Sequence, residues 1–226
     1  MNKVVVYTVI TNAYDYLNNH IDIPEYDFIA YIDDKSIVPA NTNWEIRDIP
    51  EEILHLSPLF QSIYLKINAH KILSDYDVSI YLDGKCMLKN DCKDLLSLDY
   101  EDKRIISNKH PKRDCIYDEI ITLSNYKWES KDVIIKLFTR YINEDFPYHY
   151  GLIDTCFILR YHNDPYVIEI MDTWWDDIIT NNITRIELNF NYILWKTNKQ
   201  VSALPYDNYT SKYFILKPHY QKHYTF

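Results

Sequence analysis

One acidic residue of this sequence ends an apolar run and is followed at once by one of the chain's two glycines. The segment is SIYLDGKCML, residues 79–88, in which Asp83 precedes Gly84 and Lys85. Average usage would give a chain of this length about sixteen glycines. A carboxylate beside a residue without a Cβ can approach a metal-bound diphosphate closely, and Mg²⁺ or Mn²⁺ prefers such oxygen ligands. Because Asp-Gly is also common in turns, the pattern indicates either a nucleotide site or a strand-to-turn junction.

Two other segments carry basic side chains at spacings that suit anion binding. Lys66 and His70 lie four residues apart in a predicted helix, which would place both on one face. After a later predicted strand, His110 and Arg113 lie close together, and arginine binds phosphate or carboxylate through two parallel hydrogen bonds. Either pair could contact a phosphate or an acidic substrate, or could simply cover a loop and a helix end.

Candidates for acid–base chemistry occur in the C-terminal half. Asp154 follows the second glycine, Gly151, and precedes a predicted strand, where a carboxylate could act as a base or bind a sugar hydroxyl. Glu187 lies in a predicted helix, on the same face as Asn191 four residues later. His219, in the C-terminal segment KPHYQKH, is a candidate metal ligand. Asp154 and His219 also have plain alternatives, an exposed acid at a turn and a surface histidine near a terminus.

The elements that must position these residues alternate between strands and helices. Continuous β-branched or aromatic runs predict strands at 3–11, 26–33, 76–83, 103–108 and 155–160. Capping residues and apolar spacing predict helices at 56–73, 113–127, 130–145, 164–180 and 185–197. This order predicts an α/β fold in a single domain, residues 1–226, with a mainly parallel central sheet flanked by helices.

The strand ends identify further binding candidates. In open sheets of this kind, ligands bind at the carboxyl ends of the strands. That rule adds Thr11 and Asn12, after the first strand, and Asp33, after the second, to the donor-binding candidates. The sequence contains neither a glycine-rich dinucleotide motif nor a P-loop, which argues against those two kinds of nucleotide site.

The composition is that of an acidic globular chain. Its formal net charge of −9 argues against general binding to nucleic acid. No apolar run reaches the roughly 20 residues of a membrane-spanning helix, and no signal-peptide cleavage site follows the N-terminal apolar segment. The four cysteines form neither a CxxC pair nor a zinc-binding spacing, which favours reduced thiols.

Four segments, taken in order, resemble the signature blocks of a known family. YLKINAHKILSDYDVSIYLDGK contains a lysine, a histidine four residues later and a tyrosine-rich strand that ends in Asp-Gly. HPKRDCIYDEI, GLIDTCFILRYH and WWDDIITNNITRIELNFNYILWK follow it. Together they resemble the TOD/MUCI glycosyltransferase-like domain, most strongly over residues 60–198. Several blocks in the family's order are more specific than any one of them.

This resemblance implies a GT-A-like fold and the transfer of a sugar from a nucleotide-sugar donor, with a UDP-sugar expected, to a glycan or other hydroxyl acceptor. It implies that Asp83 holds Mn²⁺ or Mg²⁺ on the donor diphosphate and that Gly84 lets the ligand come close to the backbone. Asp154 would be an acid of the sugar site. The implied donor or acceptor contacts are Lys66, His70, His110 and Arg113.

Two positions depart from the family's pattern. Lys85 stands where a GT-A motif usually has a second acid, so a lysine could replace part of the metal's charge, and metal binding would fall to Asp83 alone or with His219. Ile186 and Glu187 stand where the closing block usually has Asp-Gln. Asp154 and Glu187 therefore remain alternative catalytic groups, and retention or inversion at the sugar carbon remains open.

Two other functions remain open on the sequence alone. The same acid and histidine groups could serve a ceramidase-like hydrolase, although a chain without a membrane segment suits that role poorly. A non-catalytic glycan-binding module is the other alternative, and the two departures are its main support. Because the family's plant members carry membrane anchors and this chain carries none, we expect a cytoplasmic protein of a microbe or virus.

Overall fold

The structure is a computed structural model that describes residues 2–97, 104–205 and 211–219. Within these ranges the strands are β1 Val4–Ile10, β2 Tyr26–Ile32, β3 Glu45–Arg47, β4 Val78–Asp83, β5 Cys86–Leu88, β6 Ile105–Lys109, β7 Ile153–Arg160, β8 Ser202–Leu204 and β9 Phe214–Leu216. The helices are α1 Pro58–Ile67, α2 Ala69–Ile72, α3 Lys93–Leu96, α4 Ile116–Tyr126, α5 Lys131–Asn143, α6 Pro165–Asn181 and α7 Glu187–Lys196. Each predicted strand is present, although residue 103 of the fourth lies outside the described residues.

A seven-stranded sheet of order β3-β2-β1-β4-β7-β6-β8 forms the centre of the described fold, beside a two-stranded β5-β9 pair. The pairs β1-β2, β1-β4, β2-β3 and β6-β8 are parallel. Of the described strands in this sheet, only β7 runs antiparallel to its neighbours, β4 and β6. The prediction of a mainly parallel sheet flanked by helices is confirmed. Because β7 is reversed, its first residues lie at the same edge as the last residues of β1 and β4.

Both faces of the sheet are covered, which explains the uninterrupted apolar strands. All seven residues of β1 are buried. Alternate residues of this strand join two separate core clusters, so that Val5 packs in the same cluster as Trp174 of α6, and Val6 in the same cluster as Phe214 of β9. The sheet edge, rather than either face, is therefore where polar side chains can gather.

Local capping sets the starts of three long helices. The side chains of Ser57, Ser130 and Asp164 accept hydrogen bonds from amides in the first turns of α1, α5 and α6. Caps of this kind contribute about 1 kcal/mol each. These helix starts were predicted correctly because the capping residue and the helix it begins are neighbours in sequence.

The prediction of one helix over 56–73 is wrong at its centre. The chain leaves the helical conformation at Asn68, whose side-chain amide donates to the Tyr64 carbonyl at 3.0 Å. Lys66 therefore ends α1, while His70 lies in the separate helix α2. The two side chains do not share one helix face, and they contact different partners.

None of the described helices is long and apolar enough to cross a membrane. The four cysteines, Cys86, Cys92, Cys115 and Cys156, are all buried and free.

Candidate active-site cleft

A charged cleft of about 200 Å³ lies where β1 and β4 end, at the carboxyl edge of the sheet. The end of β1, helix α1, the turn after β4, the start of α7 and the C-terminal segment all contribute to it. Its members that the sequence predicted are Thr11, Lys66, Asp83, Gly84, Lys85, Glu187 and His219. Further members include Tyr14, Asp15, Ser62 and Arg185. The fold thus brings together residues from five separate segments that sequence reasoning had named one by one.

An ion pair joins Lys66, at the end of α1, to Asp83, at the end of β4. Lys66 Nζ lies 2.9 Å from Asp83 Oδ1, and the Tyr81 hydroxyl donates to the same oxygen at 2.9 Å. Burial alone would lower the pKa of Lys66, but the carboxylates of Asp83 and Glu187 raise it above its ordinary value. Burial likewise disfavours ionised Asp83, yet Lys66 and Lys85 hold its pKa below the ordinary value. Both partners are therefore charged at neutral pH.

Two buried side chains from the sheet hold the end of α1 that carries Lys66. Arg160, on β7, donates to the Lys66 carbonyl and to the Tyr7 hydroxyl. The Tyr7 hydroxyl lies 2.9 Å from the Lys66 carbonyl oxygen and donates to it. The last carbonyls of a helix lack partners within the helix, and a cation nearby also interacts favourably with its dipole. The backbone of Lys66 is therefore fixed against β1 and β7.

Lysines, rather than a cluster of metal ligands, surround Asp83. Burial lowers the pKa of Lys85, but the negative charge of Asp83 raises it above its ordinary value, so Lys85 is also cationic. Among the described residues, no group of three or more His, Cys, Asp or Glu side chains is placed to hold a metal ion. Asp83 Oδ1 is already bonded to Lys66, and His219 Nδ1 to Asp15. The described side chains by themselves therefore do not fit a Mn²⁺ or Mg²⁺ site.

The packing of the protein itself requires a glycine at position 84. A Cβ at Gly84 would lie 2.9 Å from Cγ1 of Ile10 and 3.1 Å from Cβ of Asp15. Carbon atoms prefer separations of about 3.5–4.0 Å. This differs from the sequence interpretation, in which the missing Cβ made room for a diphosphate or sugar. The glycine instead brings the turn after β4 against the end of β1, and it thereby positions Asp83 and Lys85.

Asp15 is a buried carboxylate of the cleft that the sequence prediction missed. It lies in the loop after β1, and His219 Nδ1 is 3.0 Å from its Oδ1 and 3.2 Å from its Oδ2. The rings of Tyr14 and His219 are also in contact, with centroids 4.9 Å apart. These contacts tie the C-terminal segment to the first loop of the chain. The strand-end rule could have found Asp15, since it follows β1 by five residues.

Glu187 lies at the start of α7, and a carboxylate from a loop distant in sequence binds the residues just before this helix. Glu129 accepts hydrogen bonds from the Thr184 amide at 2.7 Å, the Thr184 hydroxyl at 2.8 Å and the Arg185 amide at 2.9 Å. Nothing in the sequence around Glu129 marks this role. Burial raises the pKa of Glu187 above its ordinary value, although Lys66 and Arg185 oppose the shift. A carboxylate with a raised pKa is a stronger base once ionised.

Asp154 lies beside the cleft, as the second residue of β7 rather than before the strand. Its Oδ1 accepts a hydrogen bond from the Cys156 amide at 2.9 Å. Its carboxylate interacts electrostatically with Lys85 and Glu187 of the cleft and with His110 beyond it. Asp154 lies at the same edge of the sheet as the ends of β1 and β4 only because β7 is antiparallel to β4.

Three predicted residues make contacts outside the cleft. His70 Nε2 lies 3.0 Å from Asp172 Oδ1 on α6. The backbone amide of Asn12 donates to the Asp33 carboxylate at 2.8 and 3.0 Å, which joins the loop after β1 to the end of β2. Thr11 does line the cleft, but its hydroxyl donates to a carbonyl at the start of α1 at 2.8 Å. The structure therefore gives His70, Asn12 and Asp33 roles in fixing elements rather than in forming the cleft.

The remaining predicted pair, His110 and Arg113, lines a second cavity of about 740 Å³ at the end of β6 and the start of β7. Arg113 forms an ion pair with Glu119, and its amide donates to His110 Nδ1 at 3.0 Å. Burial lowers the pKa of His110 below its ordinary value. These two residues therefore belong to a different site from Lys66 and Asp83.

A mostly parallel α/β sheet with a charged cleft at the ends of its central strands is compatible with a glycosyltransferase-like protein, and the match to a family model establishes that class. The chain belongs to the TOD1/MUCI70 glycosyltransferase-like domain family, whose family model matches residues 1–217. The resemblance seen in the sequence over residues 60–198 is thus confirmed and extends towards both ends of the chain. No curated protein sequence matches the chain.

Solved glycosyltransferase structures resemble this fold. The apo structure of the bifunctional glycosyltransferase WbbM is 13% identical, with a TM-score of 0.50, and the match covers 90% of this chain and 39% of that chain. The apo form of mouse xyloside xylosyltransferase 1 is 9% identical, with a TM-score of 0.49, and the match covers 92% of this chain and 85% of that chain. The chain thus spans about two fifths of the length of WbbM, and the likeness concerns the fold.

Proposed function

We propose that this protein is a glycosyltransferase that moves a sugar from a nucleotide-sugar donor, a UDP-sugar in the first instance, to a hydroxyl group of a glycan or glycoconjugate. The observation that carries the proposal is the meeting of Lys66, Lys85, Asp83 and Glu187 in one cleft of a glycosyltransferase-like chain. Paired cations suit the diphosphate of a donor. A carboxylate with a raised pKa suits the acceptor hydroxyl.

In this proposal Lys66 and Lys85 face the donor diphosphate. As the bond between the sugar's C1 and the phosphate oxygen breaks, negative charge develops on the departing nucleoside diphosphate. Fixed cations in a half-buried cleft stabilise that charge without having to reorganise. Asp83 keeps Lys66 protonated and in place, and its second oxygen can accept a hydrogen bond from a donor hydroxyl.

The new bond forms between C1 and the acceptor oxygen, whose proton passes to a carboxylate of the protein. Glu187 suits that role in an inverting reaction, because its raised pKa makes it a stronger base than an ordinary glutamate. In a retaining reaction, Glu187 or Asp154 would instead stabilise an oxocarbenium-like centre. A divalent cation would have to draw most of its ligands from the donor phosphates and water, because the described side chains offer few. Metal dependence is therefore a variable to be measured.

Thermal unfolding with a panel of nucleotides and nucleotide sugars, with and without Mn²⁺, tests the donor site. At a concentration 100 times the Kd, we expect UDP or a UDP-sugar to raise the Tm of the wild type by about 5–10 °C. Asp83→Asn should abolish most of this rise. The matched control Asp176→Asn, which changes an exposed acid on α6, should retain it. A rise that requires Mn²⁺ would favour metal-assisted donor binding, whereas no rise with any nucleotide would refute the donor site.

Transfer itself is measured as acceptor-dependent release of nucleoside diphosphate. Glu187→Gln should keep the donor-induced Tm rise and lower kcat by about 100-fold or more, as expected for loss of a general base. Donor binding without release, across a broad acceptor panel, would favour a glycan-binding module instead. Hydrolysis of a lipid amide by a protein that ignores donors would favour the hydrolase alternative.

A further inference from the structure

The second cavity, called the basic cavity below, has many more basic than acidic side chains in its lining. Its basic lining residues are Lys109, His110, Lys112, Arg113, His149 and Lys199. Within its described lining, Asp114 is the single acidic residue. The chain as a whole has a net charge of −9, so this concentration of cations is local. A cavity lined by one sign of charge attracts ligands of the opposite sign, which indicates an anionic occupant.

Two cations of the basic cavity are available to a ligand. Arg113 and Lys199 are each paired with a glutamate. Lys109 and Lys112 are exposed and form no ion pair with any residue in the described part of the chain. Neither lysine would have to break an ion pair of the described residues in order to form a charge-assisted hydrogen bond with an oxyanion.

The basic cavity adjoins the cleft along α7. Glu187 lines the cleft and Asn191 lines the basic cavity, and four residues of α-helix span about 6 Å. Asp154 interacts electrostatically with Lys85 of the cleft and with His110 of the basic cavity. The two candidate bases, Glu187 and Asp154, therefore lie close to the basic cavity as well as to the cleft.

We propose that the basic cavity binds an acidic group of the acceptor, either a carboxylate or a phosphate ester carried by a sugar, and so selects acidic acceptors. This rests on the proposed function, because it takes the bound sugar to be the acceptor of a transfer. Lys109 and Lys112 hold the acidic group, and a hydroxyl of the same or the adjacent sugar faces the base. The donor stays in the cleft, so the two lysines do not contribute to its binding.

Calorimetric titration of the whole chain, without donor, tests the proposal with matched pairs of probes. A glucuronate-terminated trisaccharide is compared with its methyl ester, and a hexose 6-phosphate with the free hexose. We expect each acid to bind and each neutral partner to fail. Lys109→Gln/Lys112→Gln should raise the Kd of the acid about tenfold, because it removes two partly exposed charge contacts. The control Lys131→Gln/Lys136→Gln removes the same charge from exposed sites on α5 and should leave the affinity unchanged.

The donor-induced Tm rise, measured on the same variants, separates this proposal from the proposed function. An unchanged donor-induced rise in Lys109→Gln/Lys112→Gln, together with an affinity for the acid that is about tenfold lower, supports the acceptor assignment. Equal binding of acid and ester, or equal loss in the α5 control, overturns it. Loss of the donor-induced rise in Lys109→Gln/Lys112→Gln also overturns it, because the basic cavity would then belong to the donor site. If the protein binds the acid but no nucleotide or nucleotide sugar raises its Tm, the basic cavity is an anion site, and its assignment to an acceptor is overturned.

Discussion

Gly84→Ala tests how the cleft is built. The added Cβ would lie 2.9 Å from Ile10 Cγ1 and 3.1 Å from Asp15 Cβ. Neither neighbour is the free end of a flexible side chain, since Ile10 is buried in β1 and Asp15 is buried and bonded to His219. Overpacking of this kind costs about 1–3 kcal/mol. For a chain of this length, we therefore expect the Tm to fall by about 2–12 °C.

Urea unfolding of a double-mutant cycle identifies the cause of that loss. Ile10→Ala removes both close atoms of Ile10, so Gly84→Ala should cost at least about 1 kcal/mol less in that background. Gly151→Ala is the contrast, because its Cβ meets only Asn191 Nδ2, at 3.6 Å, while its φ of +100° strains any other residue. Ile10→Ala should not reduce the loss of stability that Gly151→Ala causes. If Gly84→Ala leaves stability unchanged but abolishes UDP binding, the space belongs to the ligand and our reasoning is refuted.

Three further predictions concern charges in and around the cleft. Lys66→Met should destabilise the protein by about 2 kcal/mol, less than the 3–5 kcal/mol typical of a fully buried pair, because Asp83 is 29% exposed. Asp83→Asn added to Lys66→Met should cost less than the sum of the single changes, and additive free energies of unfolding in urea would contradict the pairing. Burial raises the pKa of Glu187, so the folded protein favours the protonated carboxyl group. This contribution to the free energy of unfolding is fully present below the ordinary pKa of 4.5 and is lost as the pH rises through the raised pKa. Between these two pKa values, the wild type should therefore lose stability relative to Glu187→Gln while its transfer rate rises. A difference in the free energy of unfolding between the two proteins that does not change with pH would refute this. Glu129→Gln should lower the free energy of unfolding by about 1–3 kcal/mol, because it weakens the acceptor of the Thr184 hydrogen bonds. It should also lower kcat more than it lowers donor affinity. An unchanged kcat would show that Glu129 does not position the base.

The main strands and helix starts could be predicted because their signals are local. β1 and β4 are uninterrupted apolar runs, and Ser130 and Asp164 stand directly before the helices that they cap. The direction of β7 could not be predicted, since it depends on pairing between Ser79 and Arg160, 81 residues apart. The strands β3, β5, β8 and β9 were also missed, because three residues are too few to show a period.

Several residues of the site could be predicted from the sequence, but the contacts between them could not. Asp83 and Lys66 were both named, yet nothing in the sequence joins them to each other. Asp15 could have been named from its position five residues after β1, but its pairing with His219, 204 residues away, could not. The scarcity of glycine did mark Gly84 as a constrained position, but the closeness of Ile10 and Asp15 to it could not be read from the sequence. Contacts between distant segments decide such questions, and a single sequence does not contain them.

The reversed strand β7 has a consequence for the order in which the protein folds. Residues 4–83 alone supply β3, β2, β1 and β4, which are neighbours in the sheet and close in sequence. β7 then inserts between β4 and β6, a non-local pairing whose loop closure slows folding. A chain that ends before residue 153 would leave the edge of β4 unpaired and prone to association with other chains. Asp83 belongs to the early part, whereas Asp154 and Glu187 belong to the late part. We therefore expect the two halves of the cleft to meet only when the last part of the sheet closes.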